Sequence, residues 1–312
     1  MQVEPLVERR AHQLGDVGRR WLARLPTLIA ELERRWHIAV GAPLAGGTAA
    51  YVARARTANG RDAVLKLVLP DPDLTRQVPT MVEARGHGYA RLFAHDIERN
   101  AMLIEALGPS LSQLDTPVEQ VIEVLCRTLR QAWRTAPWPE LTAAPTLDKA
   151  CQLSELVGRL WEGLGQPCPE RVVARALHFA EQRCAAADQQ RYVVVHGDPH
   201  PGNALRVPTP RTGAESGFVF VDPDGFLGDR AYDLGVVLRD WCAQLSAGDA
   251  RGTARRYCQL LAGHTGVDEA AIWQWGFLER VSTGLFLMQL GDVAQARSFL
   301  ATAEALVAEN VP

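Results

Sequence analysis

The segment VVVHGDPHPGN (193–203) constrains the chain more than any other, because two histidines, an aspartate and an asparagine follow an apolar run directly. Such a density of titratable groups after a predicted strand is typical of a functional site. One interpretation is a metal-dependent hydrolase, since His196, Asp198 and His200 share one face of an extended segment. The other histidines form no spaced pair that would complete such a site.

A second interpretation of the same segment is phosphoryl transfer from ATP. Asp198 and Asn203 are five residues apart, and Asp222 follows another predicted strand. Protein kinases use this trio: one carboxylate accepts the proton of the substrate hydroxyl, and an amide oxygen and a second carboxylate bind Mg²⁺. Mg²⁺ is a hard cation that prefers oxygen ligands, so Asn203 and Asp222 suit it.

Phosphoryl transfer also requires a lysine on an N-terminal strand and a helical glutamate to orient it. Only Lys66 and Lys149 are lysines among the 33 basic residues, and Lys66 lies in the strand-like AVLKLVL. A lysine retained in so arginine-rich a chain indicates a need for a compact ammonium group. Glu83 lies in a predicted helix over 75–91 and is the candidate partner. A glycine-bearing turn in LAGGTAAYV would cover the phosphates with Gly46, Gly47 and Thr48.

The pattern along the chain predicts a small β-rich lobe followed by a large, mainly helical one. Residues 1–37 read as a helical extension that breaks or kinks at Pro26. Residues 38–106 form the nucleotide-binding lobe, with a hairpin at Asn59-Gly60, and 107–312 form the catalytic and substrate-binding lobe. A ligand site is expected where the two lobes meet.

Four segments resemble the aminoglycoside phosphotransferase branch of the protein-kinase-like fold. They span 41–73, 196–205, 221–235 and 275–291, and HGDPHPGN matches the branch's H-G-D-x-H-x-x-N pattern completely. The chain is most similar to the streptomycin 6-kinase and hydroxyurea phosphotransferase family. This resemblance implies a two-lobed α+β fold, ATP or another nucleoside triphosphate as phosphate donor, and inactivation of an antibiotic. It also implies that the linker near Glu105 and Leu107 receives adenine.

The same resemblance implies a small hydroxylated acceptor, with a streptomycin-like aminoglycoside as the first candidate. Because aminoglycosides are polycations, acidic side chains should line their site. His196 and Asp233 are predicted to hold the catalytic loop. The candidates for substrate contact are His200, Asp224, Asp229, Asp240, Trp273 and Glu279.

Other acceptors remain open: a different hydroxylated antibiotic, a nucleoside, a metabolite or hydroxyurea. From another class, a catalytically silent kinase-like binding protein is the alternative, although a degenerate kinase would be expected to lose one of its key residues. All of them are present: Lys66, Asp198, Asn203 and Asp222.

Bulk composition excludes several classes of protein. The net charge is −3 with acids and bases mixed along the chain, which is unlike the basic footprint of a nucleic-acid binder. No apolar run reaches bilayer length, and the charged N-terminus lacks the apolar core of an export signal, so a cytoplasmic protein is expected. The six cysteines are scattered without a Cys-x-x-Cys pair, which indicates free thiols in a reducing compartment.

Overall fold

An antiparallel sheet of five strands organises the N-terminal part of the protein, in the order β1-β2-β3-β5-β4. The computed structural model describes residues 3–45, 49–143 and 148–307. Central strand β3 carries Lys66, which lies opposite Val52 on one side and Met102 on the other. The strands are β1 (Ile38–Pro43), β2 (Ala50–Thr57), β3 (Asp62–Val68), β4 (Leu92–Asp96) and β5 (Ala101–Glu105).

The outer face of this sheet is covered by α2 (Asp16–Trp36), and α1 (Pro5–Gln13) packs against α2 and places Val7 and Ala11 in the main core. Leu25, Leu28 and Leu32 of α2 pack against apolar side chains of the strands. The predicted break at Pro26 is wrong, because α2 continues through it and the chain turns instead at Gly15, where φ is 65°. Packing of the leucines on both sides of Pro26 offsets the hydrogen bond that proline cannot donate.

Helix α3 (Gln77–Ala84) follows the sheet's central hairpin and is shorter than the predicted 75–91. It ends because Arg85 and Gly86 adopt left-handed conformations, with φ of 50° and 78°. Its buried positions include the polar residues Gln77 and Thr80 together with Val78, Met81 and Ala84. The buried Thr80 hydroxyl is satisfied by the Arg76 carbonyl, to which it donates at 2.7 Å.

The C-terminal part is mainly helical, as predicted, with two small antiparallel ladders. These ladders join β6 (Val193–Val195) to β9 (Phe226–Gly228) and β7 (Ala204–Arg206) to β8 (Phe218–Phe220). Strand β9 was not predicted, unlike the equally short β6, β7 and β8. The helices are α4 (Val118–Ala132), α5 (Pro139–Ala143), α6 (Lys149–Gly163), α7 (Glu170–Ala185), α8 (Arg230–Arg239), α9 (Cys242–Ser246), α10 (Ala250–Thr265), α11 (Glu269–Gln289) and α12 (Val293–Val307).

Helix α11 is the centre of the C-terminal part. It packs against α6, α7, α8, α10 and α12, and most of its length is buried. This explains why residues 270–290 are apolar on every side in the sequence. Within the three described ranges, no helix combines the length and apolar character needed to cross a bilayer.

The two parts meet along the chain that links β5 to α4. Gly108 N donates to the carbonyl of Arg206 at 2.8 Å, and Ala90 N donates to the carbonyl of Phe220 at 3.0 Å. Hairpin β7–β8 therefore contacts segments on both sides of the linker, and the loops that follow β6 and β8 open onto the same junction.

Candidate active site

The loop between β6 and β7 has the sequence HGDPHPGN. Its backbone N–H groups donate hydrogen bonds to the carboxylate of Asp233 in α8. One Asp233 carboxylate oxygen accepts N–H groups from His196 and the Trp133 indole, at 3.0 and 2.8 Å, and the other accepts from Gly197 N at 2.9 Å. Burial raises the pKa of Asp233 to about 6, against the effect of these hydrogen bonds. The predicted bracing role of Asp233 agrees with these contacts.

His196 is completely buried and connects the loop to the strand that precedes Asp222. Its Nδ1 accepts the backbone N–H of Asp198 at 3.1 Å, and its Nε2 lies 3.0 Å from the carbonyl of Val221. Nε2 therefore carries the proton and donates. Burial lowers the pKa of His196 to about 4, so the ring is neutral at physiological pH. These bonds fix Asp198 relative to Asp222.

Asp198 presents its carboxylate to a buried guanidinium group. Arg239 Nη2 donates to Asp198 Oδ1 at 2.6 Å, and His200 Nε2 lies 3.5 Å from Oδ2. Burial alone would raise the pKa of Asp198, but the charge of Arg239, its hydrogen bond and His200 outweigh burial and lower that pKa. The carboxylate is therefore ionised and able to accept a proton.

Arg239 was not singled out from the sequence, yet it connects three carboxylates. Besides Asp198, its guanidinium lies 3.3 Å from Glu279 and 3.5 Å from Asp240. The Glu279 side chain is only 5% exposed, and burial raises the pKa of Asp240 against the opposing charge of Arg239. Three acids therefore contact Arg239, while the buried Arg280 donates to the Asp240 carbonyl at 2.9 Å and offsets part of their charge. Two of the predicted substrate residues, Asp240 and Glu279, are thereby placed beside the predicted base.

Lys66 extends from β3 to Asp222, in the loop that follows β8. Its buried ammonium donates to Asp222 Oδ1. Burial lowers the pKa of Lys66 to about 7, while the nearby carboxylate of Asp222 favours the charged form. Asp222 has a φ of 62°, a conformation that costs energy for a residue with a side chain and is found at functional sites.

The predicted pair between Lys66 and Glu83 is not formed. Glu83 is half-buried on α3, and within the described ranges its carboxylate makes no ion pair with Lys66. The buried polar residues of α3 are Gln77, whose Oε1 has no hydrogen-bond partner among the described residues, and Thr80, which lies against Gly225. A helical period alone could not tell which residue of α3 faces the cleft.

Asn203 and Asp222 offer the oxygen atoms that Mg²⁺ would require. Asn203 Nδ2 donates to the carbonyl of Asp198 at 3.0 Å, which orients its amide and leaves Oδ1 free of protein partners in the described structure. The Asp222 side chain is 44% exposed and can turn from Lys66 toward a cation. The donor set therefore fits a hard divalent cation.

Asp224 lies close behind the catalytic loop. Its backbone N donates to the carbonyl of His196 at 2.7 Å, and its side chain packs against Gly197. Burial raises the pKa of Asp224 to about 6, opposed by the charge of Lys149. Lys149 Nζ lies 5.3 Å from the ring centre of Phe226. The second lysine of the chain therefore also contributes to the charge balance of this site.

Asp229 and Trp273, which were also predicted to contact the substrate, make structural contacts instead. Asp229 caps α8 by accepting from Ala231 N at 3.0 Å, which is a structural role that the sequence did not predict. Trp273 is half-buried at the edge of the main core, beside Leu238 and Phe277, and its described contacts are with apolar packing. The predicted phosphate-covering residues lie outside the described ranges: Gly46, Gly47 and Thr48.

The linker between the two parts is fixed by an arginine of the β7–β8 connection. Arg211 donates to the carboxylate of Glu105 and also to the carbonyls of Gly86 and Tyr89, the latter two at 2.7 and 3.1 Å. The Glu105 carboxylate is thus bound to Arg211 and to Arg91 N, and the Glu105 backbone N–H donates to the carbonyl of Arg91 at 2.9 Å. Leu107 is half-buried against the main core.

Comparisons with known proteins agree with this geometry. Residues 35–291 match the family described as aminoglycoside/hydroxyurea antibiotic resistance kinase. A streptomycin 6-kinase of Streptomyces glaucescens is 27% identical over 97% of this chain and 96% of its own. A hydroxyurea phosphotransferase of Kitasatospora aureofaciens is 26% identical, covering 97% of this chain and 84% of its own.

A solved structure of a spectinomycin phosphotransferase, in complex with ADP and spectinomycin, shares the fold. It superposes with a TM-score of 0.52 at 16% identity, covering 92% of this chain and 94% of the other. The predicted two-lobed, kinase-like α+β architecture is therefore confirmed, as is the predicted resemblance to the aminoglycoside and hydroxyurea kinases.

Proposed function

Because the chain belongs to the aminoglycoside/hydroxyurea antibiotic resistance kinase family, we propose that it transfers the γ-phosphoryl group of ATP to a hydroxyl of a streptomycin-like aminoglycoside. The protein is a phosphotransferase with an alcohol group as acceptor, and its activity is of the antibiotic-inactivating kinase class. The nucleotide, the metal and the acceptor are the parts proposed here.

One observation carries the proposal: the loop of Asp198 and the loop of Asp222 are locked together beside Lys66. His196 bonds to the backbone of both loops, and Lys66 contacts Asp222 directly. This arrangement supports Asp198 as the base, Asn203 and Asp222 as the metal ligands and Lys66 as the phosphate-binding cation, because phosphoryl transfer requires these groups around one cleft.

In the proposed reaction, Asp198 accepts the proton of the acceptor hydroxyl as that oxygen bonds to the γ-phosphorus. The bond between the γ-phosphorus and the bridging oxygen breaks, and ADP leaves. Arg239 keeps Asp198 ionised and oriented through its 2.6 Å hydrogen bond. Lys66 would turn from Asp222 to the phosphates of the nucleotide, where a compact ammonium can contact several oxygens.

Asn203 and Asp222 would hold Mg²⁺ through the amide Oδ1 and a carboxylate oxygen. When bound, the metal would neutralise the charge that develops on the transferred phosphoryl group. Since Asp222 pairs with Lys66 in this structure, release of that pair would supply both a metal ligand and a phosphate-binding cation.

The acidic side chains near Asp198 favour a cationic acceptor. Asp198, Asp240 and Glu279 surround the guanidinium of Arg239, and Asp224 adds a further carboxyl behind the loop. Cationic groups of an acceptor could pair with such carboxylates. The similarity to a hydroxyurea phosphotransferase over 97% of the chain supports hydroxyurea as a second candidate acceptor.

The test is ADP release from ATP and Mg²⁺ across a panel of streptomycin, other aminoglycosides, nucleoside antibiotics and hydroxyurea. Mass spectrometry of the acceptor would show one added phosphoryl group. The Asp198→Asn variant is the matched control, because it should bind ADP as the wild type does and yet form no product. Turnover of streptomycin is expected. ADP binding without product on any acceptor would refute the proposal and favour a silent binding protein.

A further inference from the structure

Two cysteines meet on the helical side of the protein, away from the residues placed in the active site. Cys151 Sγ, near the start of α6, lies 2.6 Å from Cys184 Sγ, near the end of α7, and neither is part of a disulfide. Cys151 is exposed and Cys184 is half-buried. In the described part of the chain, this is the one pair of cysteines whose sulfur atoms are in contact.

We propose that Cys151 and Cys184 form a reactive dithiol that exchanges with small-molecule disulfides and closes to an intramolecular disulfide between α6 and α7. A disulfide has sulfur atoms about 2.0 Å apart, so only a small approach of the two sulfurs, which are 2.6 Å apart, is needed to form one. A thiophilic metal ion would need the two sulfurs farther apart, since zinc–sulfur bonds of about 2.3 Å open in a tetrahedral arrangement.

The surroundings give the two thiols different roles. Burial, together with the hydrogen bond to Cys151, raises the pKa of Cys184 to about 12, so Cys184 keeps its proton at neutral pH. Cys151 is the exposed thiol that a small disulfide can reach first, and the half-buried, protonated Cys184 reacts only afterwards. Cys151 is the attacking sulfur and Cys184 the resolving one.

The proposed thiol–disulfide exchange takes place in two steps. Cys151 thiolate attacks one sulfur of a small disulfide, that S–S bond breaks, and a small thiolate leaves. Cys184 then loses its proton and attacks Cys151 Sγ, forming the protein disulfide and releasing the second small thiolate. The Cys184 proton passes to the small thiolate that was released in the first step. The protein dithiol is oxidised and the small disulfide is reduced to two thiols.

The cross-link would connect two helices that support the acceptor side of the cleft. Helices α6 and α7 both pack against α11, which carries Glu279. Lys149, two residues before Cys151, lies over Phe226 and balances the charge of Asp224. Oxidation would therefore fix the start of α6, and with it Lys149, against α7.

The test treats the full-length protein with oxidised glutathione, alkylates the remaining thiols and analyses the peptides by mass spectrometry. The wild type should lose two of its six thiols and yield a peptide pair joined at Cys151 and Cys184. Cys184→Ser should stop at a glutathione adduct on Cys151. Cys151→Ser should react at Cys184 at least about tenfold more slowly, because that thiol is protonated.

Cys242→Ser is the matched control and should form the cross-link at the wild-type rate. The oxidised wild type should also melt at a higher temperature than its reduced form, whereas oxidised Cys151→Ser should not. Glutathione adducts on both cysteines without a cross-link would overturn the proposal. Tight binding of one Zn²⁺, measured by dialysis, with both thiols left reduced after oxidant treatment would overturn it as well. Neither readout depends on kinase turnover.

Discussion

Replacing Arg239 by glutamine should shift the pH dependence of turnover. Arg239 donates to Asp198 Oδ1 at 2.6 Å, and its charge is the strongest influence that lowers the pKa of that carboxyl. Without the charge, burial dominates and the pKa of Asp198 rises. Asp198, the proposed base, is active only when ionised, so Arg239→Gln should lose activity at a higher pH than the wild type as the solution is acidified.

The size of the shift follows from the ion pair. Two unit charges about 4 Å apart interact by about 4 kcal/mol where the effective dielectric constant is about 20. The Asp198 side chain is 37% exposed, so solvent screening reduces the interaction to about 2 kcal/mol. Since about 1.4 kcal/mol corresponds to one pH unit, the acidic limb of the kcat profile should move upward by about 1.5 pH units.

The assay is ADP release at saturating ATP and acceptor from pH 4 to 9, with Arg239→Lys as the matched variant. Lysine keeps the charge, so its acidic limb should stay near that of the wild type. Its kcat should nevertheless fall, because an ammonium cannot reproduce the planar contacts with Asp198, Asp240 and Glu279. Melting temperature and ADP affinity would verify that each variant is folded.

An unshifted acidic limb in folded Arg239→Gln would refute the reasoning. Asp198 would then owe its ionisation to His200 or to solvent, and Arg239 would serve only to neutralise Asp240 and Glu279. Equal shifts in the glutamine and lysine variants would also contradict it, because geometry and not charge would then control the base.

Three further predictions concern the loops around the base. Lys66→Arg should lower kcat/KM about a hundredfold in steady-state assays, because the bulkier fork does not fit a site where the native side chain is buried. Asp233→Asn should lose about 2–3 kcal/mol of unfolding free energy in urea, since an amide NH₂ would face N–H donors such as His196 N. Gly197→Ala should abolish most turnover, because φ is 94° and the new Cβ would lie 2.5 Å from Asp224 Cβ.

Each of these has a specific check. If Lys66→Arg keeps the wild-type kcat/KM, Lys66 does not contribute to nucleotide binding or turnover. Because burial raises the pKa of Asp233 from 3.8 to about 6, its ionisation costs stability as pH rises through that interval, and Asp233→Asn should remove that component. Gly158→Ala, in α6 with nothing within 4 Å of the added carbon, is the control for Gly197→Ala and should be neutral or slightly stabilising.

The parts of the site that could be predicted are those whose signal lies in short stretches of the sequence. The spacing of Asp198, Asn203 and Asp222 is a property of two short loops, and Lys66 stands out because lysine is rare here. Strands with clear alternation, such as β2 and β3, were predicted for the same reason: their period is readable over eight and seven residues.

The parts that could not be predicted depend on contacts across the fold. Arg239 is one of 31 arginines among the 33 basic residues, and its partner Asp198 lies 41 positions earlier. Glu83 was chosen by helical position, but the rotation of α3 is set by the packing of Val78 and Met81. The close approach of Cys151 and Cys184 follows from the pairing of α6 with α7, which no spacing of cysteines reveals.

The contacts of Arg211 limit where the sheet can rotate relative to the helical part. It extends from the hairpin of the catalytic part and binds the Glu105 carboxylate and the carbonyls of Gly86 and Tyr89. The linker is therefore anchored to the helical part, and the pivot for any rotation of the sheet must lie on the sheet's side of that anchor. We expect the adenine end of a bound nucleotide to stay still during such a rotation, while its phosphate end travels with β3.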